Sequence, residues 1–585
     1  MQHRSRWFQP LVILLALLLL AGCTPTSSSG KESGGVQYRD VTRDLGIKFT
    51  HLKPTFDPKV ENIMTWLNSV GASVAAVDYN GSGCQSLYVT NSGEGSKNAF
   101  YRNNCNGTFT EVAAELGLAD LNQDGVSVSS AWGDYNNSGC PSLYLLKWGH
   151  SALFRNNCDG TFTNVTKEAG VGYVGNPVKA VWFDFNRDSC LDLYVGTYFR
   201  PETDLWHLSD TRIMHNDFER AKNGGHNLLY QGDCQGMFTE VGASLGVDDS
   251  GWTLATGASD LNGDGWPDLY NANDFGPDSL YINQEGKRFV RMTQTNGVGD
   301  DTHKGMNIDS ADLFNDGHPA LYVSNISKPR YILEGNTVWL LGADGKWTNV
   351  APDRGLQNCG FSWGARFFDA NNDSRLDVVV TNGFVSGTKT DYWYELGTLA
   401  TTPGQVVEDA ANWPPIGKKS LSGDEHKCLF IQQADGKFKD VAVPAGLTST
   451  ATGRGVAVVD LFNRGQLDLV LANQGAPLQV YRNESTPNNW LTLRLIGRAP
   501  SNRDALGARL LLTTGQVQQS REAISDSSHG AQGDARIHFG LGNADKIDRL
   551  EIRWPSGRTQ VLTEIAINQI LTLEEPDNPV PATNP

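Results

Sequence analysis

Short apolar runs, separated by polar turns, recur along most of the chain. In one unit the run ASVAAV (72–77) precedes a polar loop, and SLYVTN (86–91), AFYRNN (99–104) and TFTEV (108–112) follow it. Short runs rich in Val, Tyr, Phe and Thr, bounded by Gly, Asn and Asp, are typical of β-strands. Each unit therefore predicts four antiparallel strands.

The unit recurs seven times, and a polar loop that begins with aspartate marks each copy, which we number repeat 1 to repeat 7. The loops and their following strands are DYNGSGCQSLYVTN (78–91), DYNNSGCPSLYLLK (134–147), DFNRDSCLDLYVGT (184–197), DLNGDGWPDLYNAN (260–273), DLFNDGHPALYVSN (312–325), DANNDSRLDVVVTN (369–382) and DLFNRGQLDLVLAN (460–473). Four-stranded sheets repeated radially form a β-propeller, which leaves only short, protected sheet edges.

The two ends of the repeat array complement each other. Repeat 7 ends at LQVYRNEST (478–486) without a fourth strand, and a strand of that type, VQYRDVT (36–42), precedes the first complete repeat. A ring closes most simply if the N-terminal strand completes the last blade. The predicted fold is all-β: a seven-bladed β-propeller over residues 37–484 with N-terminal strand closure, followed by a small C-terminal β domain.

Oxygen-bearing side chains occupy alternating positions of the loops. Calcium takes about six to eight oxygens, and a short loop supplies them from positions 1, 3 and 5 and from a backbone carbonyl at 7, with Gly at 6. An EF-hand would end with Glu at position 12 between two helices, whereas these loops have Asp at position 9 and join strands. Three loops are complete, and we predict calcium at Asp184, Asn186, Asp188 and Asp192, at Asp260, Asn262, Asp264 and Asp268, and at Asp369, Asn371, Asp373 and Asp377.

Repeat 5 has an incomplete loop. It keeps Asp312 and Asp316 but has Phe314 and Ala320 at ligand positions, so only weak metal binding is expected. An alternative applies to all seven loops, because Asp, Asn and Gly also favour turns that hold no metal.

Repeats 1, 2 and 7 depart further from the pattern. In repeat 7, Arg464 stands at position 5, where its guanidinium can neutralise Asp460 and Asp468 in place of a metal. Repeats 1 and 2 keep one aspartate each, Asp78 and Asp134, and a disulfide at the loop is a hypothetical substitute for the ion.

The first residues resemble an export signal. Basic residues precede the apolar run LVILLALLLL (11–20), which is too short to span a membrane and predicts a signal peptide at 1–22. The residues LAGC (20–23) resemble a bacterial lipobox, and the resemblance implies lipidation of Cys23, followed by a flexible tether to residue 36. It implies a protein anchored to the bacterial envelope, at the outer membrane and facing either the periplasm or the surface. The alternative is an ordinary secreted protein.

Of the remaining eight cysteines, six fall at repeated positions, while Cys359 starts a first strand and Cys428 starts the third strand of the same repeat, at a common end of the blade. Three of the six occupy position 7 of a loop, and three more occupy the turn between the third and fourth strands of the same repeat, which lies at the same end of a blade. The predicted disulfides are Cys84–Cys105, Cys140–Cys158, Cys190–Cys234 and Cys359–Cys428. Even pairing together with an export signal indicates an oxidising compartment.

After residue 487 the repeat stops and another pattern begins. Alternating stretches such as WLTLRLIG (490–497) and ARIHFGLG (535–542) predict a small β domain over 488–575, with a disordered tail at 576–585. The blocks SNRDALGARL (501–510), IHFGLG (537–542) and DRLEIRWPSGRTQ (548–560) closely resemble the ASPIC/UnbV domain.

The repeat units resemble FG-GAP/VCBS repeats. Such repeats followed by an ASPIC/UnbV domain are the arrangement of the cartilage acidic protein 1 family and its bacterial relatives. The resemblance implies a calcium-binding protein outside the cytoplasm with a role in adhesion or matrix contact. The formal net charge of −17 and the lack of a basic patch argue against a nucleic-acid partner.

Two insertions, at 200–225 and 385–427, fall between second and third strands and hence at the end opposite the aspartate loops. Long loops on a rigid scaffold frequently carry function. The candidate ligand surface comprises Trp206, His207, His215, Tyr392, Trp393, Tyr394 and Trp413. The alternative is that these aromatic residues only pack each insertion onto the propeller.

No Ser/His/Asp order, HExxH motif or Gly-rich phosphate loop supports catalysis. We therefore expect a binding, adhesion or scaffold module for an envelope or extracellular protein or glycan, in contact with a membrane only through its lipid anchor. Two alternatives remain: a lyase-like propeller enzyme that uses His207 or His215 as a base, and an accessory factor for assembly of another envelope protein.

Overall fold

The computed structural model describes residues 33–577, apart from 293–297, 300, 330, 389, 402–405 and 526–527. The predicted signal peptide, the predicted lipidation site Cys23 and most of the C-terminal tail lie outside the described residues. The architecture is all-β and propeller-like, as the repeat predicts.

Each repeat forms one antiparallel sheet whose strands are hydrogen-bonded in chain order. The strands are Val74–Val77, Ser86–Val89, Ala99–Asn103 and Phe109–Glu111 in repeat 1; Gly125–Gly133, Ser142–His150, Ala152–Asn156 and Phe162–Asn164 in repeat 2; Pro177–Phe183, Asp192–Thr197, Leu228–Gly232 and Phe238–Glu240 in repeat 3; Thr253–Ser259, Asp268–Asn273, Ser279–Asn283 and Phe289–Met292 in repeat 4; Asn307–Ala311, Ala320–Ser324, Thr337–Leu341 and Trp347–Asn349 in repeat 5; Gly360–Phe368, Asp377–Asn382, Cys428–Gln432 and Phe438–Asp440 in repeat 6; and Gly453–Val459, Asp468–Asn473 and Gln479–Asn483 in repeat 7.

Burial falls from the first strand of a sheet to the fourth. All residues of the first strand Val74–Val77 are buried, whereas Phe109–Glu111, the fourth strand of the same sheet, has two exposed residues. Apolar side chains between neighbouring sheets form the core, for example around Tyr88, Phe100 and Trp132. The first strands of consecutive repeats contact each other, and the first strands of repeats 1 and 7 are also in contact.

The N-terminal strand Tyr38–Asp40 joins the sheet of repeat 7. It pairs antiparallel with Gln479–Asn483, so that Tyr38 lies opposite Asn483 and Asp40 lies opposite Tyr481. The hydroxyl of Tyr38 donates to the carbonyl of Leu467, at 3.1 Å, and fixes this strand on a buried edge.

The C-terminal region forms two further sheets around a separate apolar core that includes Leu493, Leu512 and Phe539. One sheet contains Asn489–Ile496, Ile537–Gly542 and Gln569–Glu574, and the other contains Arg509–Thr514, Val517–Glu522, Ile547–Arg553 and Thr559–Ile565. We call residues 489–577 the C-terminal domain.

The remaining elements are short. The α-helices are Met64–Leu67, Thr166–Ala169, Gly242–Leu245, Ala351–Arg354 and Trp393–Thr401; the 3-10 helices are Pro58–Ile63 and Ala410–Asn412; the two-residue strands are Val174–Gly175, Ile326–Ser327 and Ala531–Gln532. Within the part of the chain that the structure describes, no helix has the length and apolarity needed to cross a membrane.

Four disulfides form within the repeats. They join the same four cysteine pairs that the sequence predicts: Cys84–Cys105, Cys140–Cys158, Cys190–Cys234 and Cys359–Cys428. They suggest an extracellular or exported protein, because disulfides persist in oxidising compartments.

Candidate functional site

The first aspartate of each complete loop organises the turn. In repeat 3 the two carboxylate oxygens of Asp184 accept the backbone N–H groups of Asp188, at 3.1 Å, and Ser189, at 3.0 Å. In repeat 4, Asp260 accepts those of Gly263 and Gly265. The chain can turn back on the carboxylate because the residues at positions 4 and 6 have a positive φ.

The asparagine at position 3 and the aspartate at position 5 of each complete loop are also brought together. The side-chain amide of Asn186 donates to Asp188 at 2.8 Å, and Asn262 donates to Asp264 at the same distance. Repeat 6 repeats this contact between Asn371 and Asp373. The predicted ligands at positions 1, 3 and 5 therefore line one side of each turn.

The aspartate at position 9 has a structural role that the sequence analysis missed. In repeat 3, Asp192 accepts the N–H of Phe185 at 2.9 Å with one oxygen and the N–H of Gly232 at 3.0 Å with the other. It thereby ties the loop to the third strand. The equivalent residues that make both bonds are Asp268, Asp377 and Asp468. Ser86 in repeat 1 accepts only the bond from the third strand.

Burial and mutual repulsion act on these carboxylates. Burial, together with the neighbouring carboxylate of Asp188, raises the pKa of Asp184 to about 7. Burial similarly raises the pKa of Asp369 to about 7 and that of Asp268 to about 8. Each loop thus concentrates negative charge at a desolvated position, where a cation is favoured.

The loops differ in the cations that reach them. In repeat 4, Arg509 of the C-terminal domain lies 2.7 Å from the carboxylate of Asp260 and donates to its carbonyl. In repeat 7, Arg464 lies 3.1 Å from Asp468.

Repeat 6 has its own arginine, because Arg375 pairs with Asp373. In repeat 3, by contrast, no Lys or Arg of the described residues forms an ion pair with Asp184, Asp188 or Asp192. No group of three or more His, Cys, Asp and Glu side chains in the described ranges has the arrangement of a metal centre. Besides its carboxylates, each complete loop has the oxygen of the asparagine side chain at position 3 and its backbone carbonyls.

The C-terminal domain lies against the loop end of the repeats. Besides Arg509, its residue His538 contacts Asn372 of repeat 6 at 2.8 Å, and Arg536 donates to the carbonyl of Asp460 in repeat 7. In repeat 2, the backbone N–H of Asp134 donates to Asp504 at 2.8 Å. The sequence pattern of the loops gave no indication that another domain covers them.

Residues 528–534 of the C-terminal domain enter the space enclosed by the first strands, and we call them the channel segment. The segment contacts all seven first strands. Hydrogen bonds join Gly530 to Val74, Gln532 to Trp132, Ala531 to Lys179 and Asp534 to Val458. His529 forms hydrogen bonds with Leu254 and Asn307, and its ring lies against that of Trp363. A Cβ on Gly455 would lie 2.1 Å from the carbonyl oxygen of Gly530, so this close approach requires glycine. The only sequence signal is the Gly-containing stretch HGAQGD (529–534), which interrupts the alternating pattern.

A cavity of about 460 Å³ opens on the other side of the channel segment, towards the two insertions. Its floor includes His529, and Phe218 of the first insertion and Trp393 of the second lie in its wall. Insertions and aspartate loops follow opposite ends of the strands, so the cavity and the C-terminal domain occupy opposite ends of the repeat array.

The structure does not bring the seven residues of the predicted ligand surface to one surface. Trp393 lines the cavity, while His215, Tyr392 and Trp413 are buried within the insertions. His215 stacks on Phe275 with 3.6 Å between ring centroids.

The other three residues of that set differ among themselves. Trp206 is partly buried against Phe56, whereas His207 is exposed and Tyr394 is 81% exposed. Most of the aromatic residues therefore pack the insertions onto the repeats, because large rings stabilise a long loop by burial. Burial also lowers the pKa of His215 well below its ordinary value and keeps it neutral.

Comparisons with known proteins match both parts of the chain. Residues 498–580 match the family model described as ASPIC and UnbV, and residues 134–195 and 260–323 match the FG-GAP-like repeat. Over 331 residues the chain is 26% identical to cartilage acidic protein 1 of Xenopus tropicalis, covering 54% of this chain and 44% of that protein. Over 355 residues it is 24% identical to the Mus musculus protein, covering 58% and 48%.

Two solved structures align with low scores. An Agrocybe aegerita lectin described as recognising non-reducing terminal N-acetylglucosamine is 15% identical and aligns over 64% of this chain and 81% of its own, with a TM-score of 0.36. A rhamnogalacturonan lyase is 12% identical and aligns over 77% and 76%, with a TM-score of 0.34. Neither score supports a conclusion about this chain.

The matches to cartilage acidic protein 1 cover less than half the length of those relatives. The chain therefore contains FG-GAP-like repeats and an ASPIC and UnbV region, and it is distantly similar to cartilage acidic protein 1.

Proposed function

We propose that this protein is an exported binding module that contacts its ligand, a protein or a glycan, at the insertion end. The repeats form a seven-bladed ring closed by the N-terminal strand. This proposal is supported by one sheet per repeat and by the pairing of Tyr38–Asp40 with Gln479–Asn483.

The proposed function rests on one observation, namely that the two ends of the repeat array differ. The channel segment and the C-terminal domain cover the loop end, whereas the insertion end has a deep cavity with a wall of aromatic and aliphatic side chains. Cavities of this kind are the usual sites of ligand binding.

Calcium is part of the proposal. Asp184, Asn186 and Asp188, with the backbone carbonyl at Cys190, would hold the ion in repeat 3. Bound calcium would supply the positive charge that no side chain of the described residues provides there, and would fix a loop that also carries a disulfide. The corresponding residues of repeats 4 and 6 are proposed as further sites, each with an arginine beside one carboxylate.

We further propose that Cys23 is lipidated and anchors the protein to a bacterial envelope. Fatty-acid labelling of cells that express the wild-type protein or a Cys23→Ser variant tests this. We expect the label on the wild-type protein alone, and equal labelling would contradict the anchor.

A cavity-blocking variant tests the ligand site. Gly397 lines the cavity, and a Cβ built on it meets no atom within 4 Å, so Gly397→Trp adds a large side chain without a clash at the backbone. Tyr394→Trp, on the exposed face of the same helix, is the matched control.

The wild-type protein and both variants are applied to glycan and protein arrays, and acidic polysaccharides are assayed for product release. We expect at least one ligand that binds the wild type and the control but not Gly397→Trp. Equal ligand binding by the wild type and Gly397→Trp would contradict a ligand site in the cavity. Release of soluble product would show an enzyme.

A further inference from the structure

The cavity at the insertion end has walls in which aromatic rings alternate with aliphatic side chains. Six of the rings are those of Trp66, Trp148, Phe275, Phe361, Trp363 and Trp393. The rings support one another: Phe361 stacks on Trp363 with centroids 5.6 Å apart and on Phe384 at 4.8 Å. With a volume of about 460 Å³, the cavity accommodates a small organic molecule against fixed ring faces.

Carboxylates outnumber cationic side chains among the residues that line the cavity. Lys304 is its lining cation and is already paired, because its Nζ lies 2.8 Å from one oxygen of Glu334 and its backbone N–H donates to the other at 2.9 Å. Asp274 has no ion pair among the residues that the structure describes. Its only side-chain hydrogen bond there comes from the hydroxyl of Tyr198, at 2.6 Å, so no cationic side chain of the described residues contacts this carboxylate directly.

The other titratable groups that face the cavity add no positive charge. Burial lowers the pKa of His529 on the floor to about 3, so this ring is neutral. Glu219, in the first insertion, is exposed and carries a further negative charge. The lining carboxylates would therefore repel an anionic ligand, because the lining cation, Lys304, is already held by Glu334. The buried guanidinium of Arg454 is not part of the lining and lies over the ring of Trp363.

We propose that this cavity binds an organic cation, with its ammonium group at Asp274 and its apolar body against the aromatic rings. The inference rests on the proposed function, since it names the ligand chemistry of that site. Aromatic faces attract cations through the ring quadrupole, and the attraction grows when water is excluded. The free oxygen of Asp274 supplies the charge-assisted hydrogen bond that fixes the head group.

Protonation of Asp274 gives the interaction a pH dependence. Burial raises the pKa of this carboxyl to about 7, with the hydroxyl of Tyr198 and the charge of Lys304 opposing the rise and Glu334 adding to it. The ionised form binds the cation, so affinity is full above pH 7 and falls as the pH drops below it.

Three probes share a phenyl group and differ in charge: 2-phenylethylammonium, 2-phenylethanol and 3-phenylpropanoate. Comparing them distinguishes the effect of ligand charge from that of ligand shape. Their binding to the full chain is measured by calorimetry and by tryptophan fluorescence at pH 8. We expect the ammonium compound to bind at least about tenfold more tightly than the alcohol and the carboxylate to bind least. Equal affinities, no binding of the ammonium compound, or tighter binding of a neutral methyl glucoside would overturn the proposal.

Asp274→Asn is the decisive variant, with Asp391→Asn, an exposed carboxylate of the second insertion, as control. We expect Asp274→Asn to bind the ammonium compound and the alcohol equally and to lose the pH dependence, while the control keeps both properties. Unchanged selectivity in Asp274→Asn would refute the role of Asp274. If array ligands are lost in Gly397→Trp but the ammonium compound does not bind, the proposed function stands and the cation inference fails.

Discussion

The loops of repeats 3 and 4 have the same ligand pattern but different surroundings. Both begin with an aspartate that accepts two loop N–H groups, and both have an aspartate at position 9 that ties the loop to the third strand. Arg509 lies 2.7 Å from Asp260 in repeat 4, whereas no described Lys or Arg pairs with Asp184 in repeat 3. The negative charge that a loop leaves without a cationic side chain therefore depends on which distant side chains reach it, as well as on its own spacing.

The largest expected effect concerns what the two loops share. Replacing Asp192 or Asp268 with Ala leaves two buried N–H groups without acceptors, and each such group costs about 1–3 kcal/mol. We expect each variant to lose about 2–6 kcal/mol of unfolding free energy in urea titrations. The loss should be equal in calcium and in EGTA. A loss that disappears in EGTA would show that position 9 acts as a metal ligand instead.

The second effect separates the loops. Asp188 and Asp264 are exposed and equivalent, so Asp188→Ala and Asp264→Ala form a matched pair. We expect calcium to raise the stability of the wild type, by about 2.7 kcal/mol at a hundredfold excess over its Kd. Asp188→Ala should remove most of that increment and Asp264→Ala much less, because Arg509 already offsets charge in repeat 4. Equal losses in thermal melts would refute the distinction.

The sequence predicts the parts of this comparison that are local. Spacing alone places Asp184, Asn186 and Asp188 on one turn, and the missing fourth strand of repeat 7 predicts the pairing of the N-terminal strand. Arg509 is separated from Asp260 by 249 residues, so no local pattern can indicate their contact. Burial of Trp413 in its insertion was foreseen only as an alternative, because aromatic residues serve packing and recognition alike.

The third effect follows from a substitution that makes the surroundings of the repeat 4 loop resemble those of the repeat 3 loop. Arg509→Met removes the guanidinium from Asp260 and leaves its buried carboxylate without a cationic partner. Because the arginine is about one third exposed, we expect a moderate loss of about 1–2 kcal/mol in EGTA. Calcium should recover much of this loss, since the loop of repeat 4 then resembles that of repeat 3.

The control for this conversion is Arg553→Met, because Arg553 is an exposed arginine of the same domain that pairs only with Glu551. It should change neither the stability nor the calcium response. An Arg509→Met loss that calcium leaves unchanged would mean that the arginine acts only by docking the C-terminal domain.

The smallest effect tests why the arginine in the loop of repeat 3 does not pair with the carboxylates of that loop. Arg187 belongs to that loop, yet its guanidinium donates to the carbonyl of Gly265 and lies over the ring of Trp266, 4.7 Å from its centroid, in repeat 4. Exposed cation–π contacts contribute about 0.5–1 kcal/mol, so Arg187→Met should reduce stability by that amount. Calcium affinity at repeat 3 should stay unchanged, because the arginine points away from Asp184. A changed affinity would show that Arg187 screens the carboxylates of its own loop, and the contrast between the two loops would then be one of degree.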